Sequence, residues 1–184
     1  MFHRSCVFEN FSNISKTKRE EIEKLTMKVF KRVECVLEVV TYPKDLSDFE
    51  INLIHQAEKT AQTAYAPYSE FYVGAAIELE NGVVICGSNQ ENAAFPSGLC
   101  AERVAFFTAG AQYPGVKIRS LAITAQSVKH DATNPAVPCG ACLQVLREVE
   151  KRQKTAISVL LKGMGNEVFK AESIAHFLPF SFDL

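Results

Sequence analysis

Four residues in two short segments have the types and spacing to do chemistry. Pro138-Cys139-Gly140-Ala141-Cys142 sets two thiols three residues apart at the start of a predicted helix. That spacing puts both sulfurs at one helix end, where the dipole favours thiolates and the pair can share one ion. Alone, a CxxC also suits half of a structural zinc site or a redox pair. Cys100-Ala101-Glu102 adds a third thiol at another predicted helix start, with a carboxylate two residues on. His3, His55, His130 and His176 lie outside both motifs, and the sequence offers no obvious fourth protein ligand nearby. Three ligands leave one tetrahedral position open to water, which marks catalytic rather than structural zinc. Zn2+ on Cys100, Cys139 and Cys142 would lower the pKa of that water, and Glu102 would move its proton. The competing reading is a closed four-ligand site with Glu102 merely solvated.

The elements that must position these residues follow from the pattern around them. Ser47 or Asp48 caps a predicted helix reaching about Tyr65, with Ile51, Leu53, Ile54 and Ala57 as candidate core. Phe71 to Leu79 and Val83 to Ser88 read as strands joined by a tight Asn81-Gly82 turn. A polar loop, 89–98, leads to a helix from about Cys100 to Gln112. Val116 to Gln126 is a strand, a long loop reaches Pro138, and the second motif helix runs from about Gly140 to Arg152. Ala156 to Leu161 is a strand, Glu167 to Lys170 a short one, and 172–178 a last helix. A hairpin followed by alternating helix and strand implies a mixed sheet with helices on both faces.

Before this domain, residues 28–41 are rich in valine and read as a strand or extended arm, and Pro43 interrupts them. Residues 1–26 are polar, mixed in charge and without an apolar face, so a poorly ordered extension is expected there. Met27 opens a segment that could serve as a translation start of its own. The expected organisation is an N-terminal extension over 1–47 and one domain over 48–184.

Composition narrows the function classes. A net charge of −1 argues against a nucleic-acid partner, which would want a basic surface. No apolar run approaches 18 residues and no signal-peptide pattern opens the chain, so neither a membrane partner nor export is expected, and the expected location is cytoplasmic. Six cysteines in 184 residues are too sparse for a secreted disulfide scaffold. Cys6, Cys35 and Cys86 stand alone and read as plain thiols.

From about Asp48 to Phe182 the chain resembles the small homotetrameric zinc-dependent cytidine deaminases that salvage free pyrimidine nucleosides. Four segments carry the resemblance in order: AYAPYSEFYVGAAI (64–77), NQENAAFPSGLCAER (89–103), PCGACLQ (138–144) and FLPFSF (177–182). The resemblance implies a three-layer α-β-α sandwich with a five-stranded mixed sheet. It implies hydrolytic conversion of cytidine and 2′-deoxycytidine to the uridine forms plus ammonia, with Zn2+ as cofactor and Glu102 as proton shuttle. It also implies substrate contacts: Asn89 and Glu91 at the ribose hydroxyls, Phe71 against the pyrimidine, and the Ala101 N–H at the ring carbonyl. Ala93, Phe95 and Phe182 resemble residues that reach a neighbouring subunit, so self-association is expected, as a homotetramer or a smaller dimer.

Two positions depart from the family pattern. Leu143 stands where an arginine usually follows the second cysteine of the CxxC. Three thiolates give the zinc centre a formal charge of −1, which an arginine would offset. Arg103, in the CAER segment, is the candidate to do so, with Arg147 or the helix dipoles helping. Phe95 stands where tyrosine is common, which removes one hydroxyl. Two readings compete with the leading one: a deaminase of a cytosine nucleoside antibiotic of the blasticidin type, and an idle zinc-binding or assembly protein. The Asn89/Glu91 pair and the C-terminal phenylalanine argue against the first.

Overall fold

A computed structural model describes residues 15–17 and 32–182. The chain divides into two units, 1–33 and 34–184. The expectations for residues 1–26 and for a start at Met27 fall, apart from 15–17, outside the described residues. All that follows concerns the second unit.

Its elements are β1 (Glu38–Thr41), α1 (Asp48–Ala61), β2 (Phe71–Leu79), β3 (Val84–Ser88), α2 (Ala101–Gln112), β4 (Ile118–Ser127), α3 (Gly140–Gln153), β5 (Ser158–Lys162) and β6 (Glu167–Ala171). Two single 3-10 turns, Phe95–Ser97 and Ile174–His176, complete it. The strands form one sheet in the order β1-β6-β5-β4-β2-β3. Only β4 and β5 are parallel, and α3 is the crossover between them. The sheet has six strands rather than the expected five, because β1 adds to the free edge of β6 with Val40 opposite Val168. Of the arm expected over 28–41, the described residues are strand over 38–41 and not over 32–37. The expected helix over 172–178 is a single 3-10 turn, where Ser173 Oγ accepts from the Ala175 N–H and Pro179 follows closely.

Period-two alternation decides the layers. Ala75, Ile77 and Leu79 of β2 pack against Ala101, Ala105 and Phe106 of α2 and Leu146 of α3. Ala76 between them points the other way, to Leu53, Ile54 and Ala57 of α1. Helices therefore cover both faces of the sheet. Ile51, an expected core position of α1, is only half-buried, and Ala61 is buried in its stead.

Local chemistry starts each helix where the site needs it. Ser47 and Glu50 form a reciprocal capping box at α1. The helices α2 and α3 begin instead on Cys100 and Cys139, neither of whose side chains caps the helix. The first turn of α2 is held close to the sheet at Gly87 of β3. A Cβ there would meet Ala101 O and Ala105 N at 2.6 Å. The hairpin between β2 and β3 turns at Asn81-Gly82, with Gly82 at φ 83° and the Asn81 carboxamide accepting from the Val83 N–H.

Candidate active site

The three motif cysteines converge. Their sulfurs all lie within 4.8 Å of one another, and Cys139 and Cys142 are 3.5 Å apart. A cation bound at about 2.3 Å from each of three tetrahedrally disposed thiolates requires sulfur separations just under 4 Å, so the set fits one zinc ion. The fit has a sequence-local cause. Cys100 and Cys139 are the N-cap residues of α2 and α3, with extended backbones, and Cys142 is the third residue of α3. Each sulfur thus sits beside first-turn N–H groups that have no partner in the helix ladder.

Electrostatics sets Cys100 apart from Cys142. A hydrogen bond from Cys142, then the Arg103 guanidinium, hold Cys100 down to about 5 against the cost of burial. Cys142, serving Cys100 and buried, is pushed up. One thiolate therefore forms readily at Cys100, and a shared cation would release the Cys142 proton. Arg103 Nη2 lies 3.6 Å from Cys100 Sγ, and that contact raises the arginine in turn. Arg147 does not join it. Its Nη1 donates to Glu150 Oε2 at 2.6 Å, while Glu150 Oε1 accepts from the Ile157 and Ile174 N–H groups. Leu143 is part of the core cluster at 7% exposure, so the position of the family's second arginine carries an apolar packing contact here.

Glu102, one residue into α2, is 5% exposed. Burial, reinforced by the negative charge of Cys100, raises its carboxyl above its ordinary value. It lines a cavity of about 450 Å³ together with Phe71, Asn89, Cys100, His130 and Cys139. The cavity opens at the C-terminal end of β4, where Ser127 pairs with Phe71 at the start of β2. A second cavity of about 490 Å³ shares Ser69, Asn89 and Cys100 with it and adds Glu91, Phe95 and Arg103. The two adjoin as a reacting end and an outer end.

Asn89 bridges to the backbone of β2, accepting from Val73 N–H at 2.8 Å and donating to Phe71 O at 2.9 Å. Glu91 Oε2 accepts from the Tyr68 and Ser69 N–H groups. Desolvation opposes its charge, yet the Ser69 and Tyr68 hydrogen bonds win and keep it below the ordinary carboxylate value. Among the described residues this leaves Glu91 Oε1 and one Asn89 N–H for a ligand. Ala101 is the first residue of α2, so its N–H lies outside the helix ladder.

The residues expected to meet a neighbour do not close the cavity within one chain. Ala93 is exposed, and the Phe95 and Phe182 rings are 76% and 69% exposed. Phe95 rests edge-on against Tyr68. Phe182 is tied to α3 by its backbone, with Gln144 accepting from its N–H and donating to its carbonyl. Ser69, His130 and Val137 line the reacting end without having been expected there. The last two belong to the long loop 128–137, whose residues follow no spacing that would announce a site.

Residues 48–158 match the family model described as the cytidine and deoxycytidylate deaminase zinc-binding region. A cytidine deaminase of Sporosarcina psychrophila is 39% identical over 131 residues, which cover 71% of this chain and 88% of that protein. One from Halalkalibacterium halodurans is 41% identical over 97 residues, 53% of this chain and 69% of its own. The crystal structure of cytidine deaminase from Burkholderia pseudomallei superposes with a TM-score of 0.62 at 37% identity, covering 74% of this chain and all of that one. The mixed sheet with helices on both faces is the fold of this cytidine deaminase structure. The chain belongs to the cytidine deaminase family.

Proposed function

We propose that the chain hydrolyses cytidine and 2′-deoxycytidine to uridine and 2′-deoxyuridine with release of ammonia, as a step of pyrimidine salvage in the cytoplasm. The observation that carries the reading is the pocketing of Glu102 beside three converged cysteine sulfurs at the end of a nucleoside-sized cavity. A zinc ion held by Cys100, Cys139 and Cys142 would supply a Lewis acid that makes water nucleophilic near neutral pH.

The chain's own residues do the rest. Glu102 accepts one proton from the attacking water and delivers it to the ring nitrogen, then takes the second from the new C4 hydroxyl and delivers it to the leaving amine. The Ala101 N–H donates to the ring carbonyl, Phe71 bounds the pyrimidine, and Asn89 and Glu91 hold the ribose hydroxyls through the groups left over from their backbone contacts. The exposed rings of Phe95 and Phe182 support a homotetramer in which each chain completes its neighbour's site.

Zinc content and turnover of cytidine, measured on one preparation, test this reading. About one zinc per chain with loss of cytidine absorbance is expected. Glu102→Gln keeps the zinc and loses turnover by about 10²–10⁴-fold, the usual worth of a general acid-base group. A Glu102→Gln chain as active as its parent would refute the assignment. Light scattering gives a mass near four chains of 20.4 kDa if the assembly is tetrameric.

A further inference from the structure

The loop 128–137 brings a histidine to the reacting end of the cavity. Two sets of main-chain contacts hold this loop. From the turn between β5 and β6, Met164 N–H donates to Ala132 O at 2.6 Å and Gly165 N–H to Thr133 O at 3.0 Å. Gly163 permits that approach, since a Cβ there would stand 2.4 Å from Asn134 O. At the other end, Ser127 Oγ accepts from the Lys129 and His130 N–H groups and donates to Glu70 O at 2.7 Å. The chain is thereby turned back across β2.

The turn sets the His130 ring edge-on to Phe71, with centroids 6.5 Å apart at 60°. His130 Nε2 lies 3.1 Å from Ser69 O. A carbonyl only accepts, so Nε2 carries the hydrogen of this bond. Ser69 in turn donates its N–H to Glu91, and its hydroxyl accepts from the Phe71 N–H. His130 thus touches the aromatic wall directly and the sugar-end residues through one backbone group. It shares the cavity with Glu102 and the thiols, where the reacting edge of a base must lie.

We propose that His130 is a positioning and specificity-determining residue for the heterocycle: with Phe71 it forms the wall that seats the ring and limits the room for substituents beside it. The inference rests on the deaminase reading. It assigns His130 no proton transfer. Its effect is on how the base is held, so it acts on binding more than on the chemical step.

The test compares the parent with His130→Ala, His130→Phe and Ser127→Ala. Steady-state constants are measured for cytidine and for 5-methylcytidine, and the binding of uridine is measured by calorimetry. For His130→Ala, KM for cytidine and Kd for uridine rise about 5- to 10-fold while kcat changes less than about twofold, the pattern of lost uniform binding. The preference for cytidine over 5-methylcytidine narrows. His130→Phe, which keeps the wall but not the Ser69 bond, restores most of that preference. Ser127→Ala, which keeps the ring but loosens the turn that sets it, lowers Tm and shifts KM and the preference in the same direction as His130→Ala, by less. Parent-like KM, Kd and preference in His130→Ala overturn the inference, and so does a His130→Phe chain whose preference is no nearer the parent's than that of His130→Ala. If the parent does not turn over cytidine, the deaminase reading fails and takes the inference with it. Turnover by the parent with an unaltered His130→Ala overturns this inference alone.

Discussion

Gly87→Ala adds one methyl group at the seam between β3 and α2, the helix that begins on Cys100. The new Cβ would stand 2.6 Å from Ala101 O and Ala105 N, and 3.0 Å from Val104 Cβ. Ordinary contact begins near 3.4 Å, so β3 and the start of α2 must part by about 0.8 Å. Two of the three close atoms are helix backbone and cannot turn aside. The displaced segment carries Cys100 and Glu102, whereas Cys139 and Cys142 ride on α3. A metal site tolerates errors of only about 0.2 Å in its ligand distances. A shift several times larger should weaken zinc retention and lower kcat for cytidine by about 10- to 100-fold. Overpacking should also cost about 1–3 kcal/mol of stability. Gly110→Ala lies in the same helix with nothing within 4 Å of its added Cβ. It should keep zinc and turnover and gain up to about 1 kcal/mol from reduced backbone freedom. Zinc per chain, initial rate and Tm are measured for both variants. A Gly87→Ala chain with parental zinc content and rate would show that this close packing does not align the site. Equal damage from Gly110→Ala would show that the effect is not local.

Arg103→Gln should weaken zinc binding by about 10- to 100-fold, as lost ligand support does. Arg147→Gln should leave zinc affinity unchanged and lower Tm, because Arg147 is bound to Glu150 and not to sulfur. Competition with a chelator measures the first effect, and equal affinities in the two variants would refute the division of labour. Glu50 gives a pH-dependent contribution of known sign. Partial burial disfavours its charge, but Lys170 at 2.7 Å and the Ser47 hydrogen bonds outweigh that and hold it below its ordinary 4.5. A carboxylate lowered on folding stabilises fully above its unfolded value and loses that contribution as pH falls through the folded one. The Tm gap between the parent and Glu50→Gln, about 1 kcal/mol in worth near pH 7, should therefore close only below pH 4.5. A gap that stays constant to pH 3 would contradict the assignment.

The elements and the ligand set were legible in the order of the residues because both depend on near neighbours. The limits of β2 and the start of α3 follow from apolar alternation, Gly and Pro punctuation and the CxxC spacing, all of them local signals. Cys100, Cys139, Cys142 and Glu102 could be picked out together because a metal centre demands a rare combination of side chains at helix starts. The sixth strand was half legible. Valine content marked an extended arm, but only a free edge on β6 decides that four of its residues pair. The part played by each arginine was half legible: the CAER segment singled out Arg103, but Arg147 was expected to help it. Arg103 and Arg147 each lie within a turn or so of a motif cysteine in sequence, and only the packing shows one beside sulfur and the other bound to a buried carboxylate. His130 lies furthest from sequence reasoning. Nothing in the spacing of residues 128–137 marks it. It reaches Phe71 because Ser127, ending β4, holds its N–H and turns the loop across to Glu70, while the distant turn leaving β5 holds Ala132 and Thr133 just after it. Side-chain chemistry can be read from residue types, but which side chains share a cavity is decided by long-range contacts that no local pattern encodes.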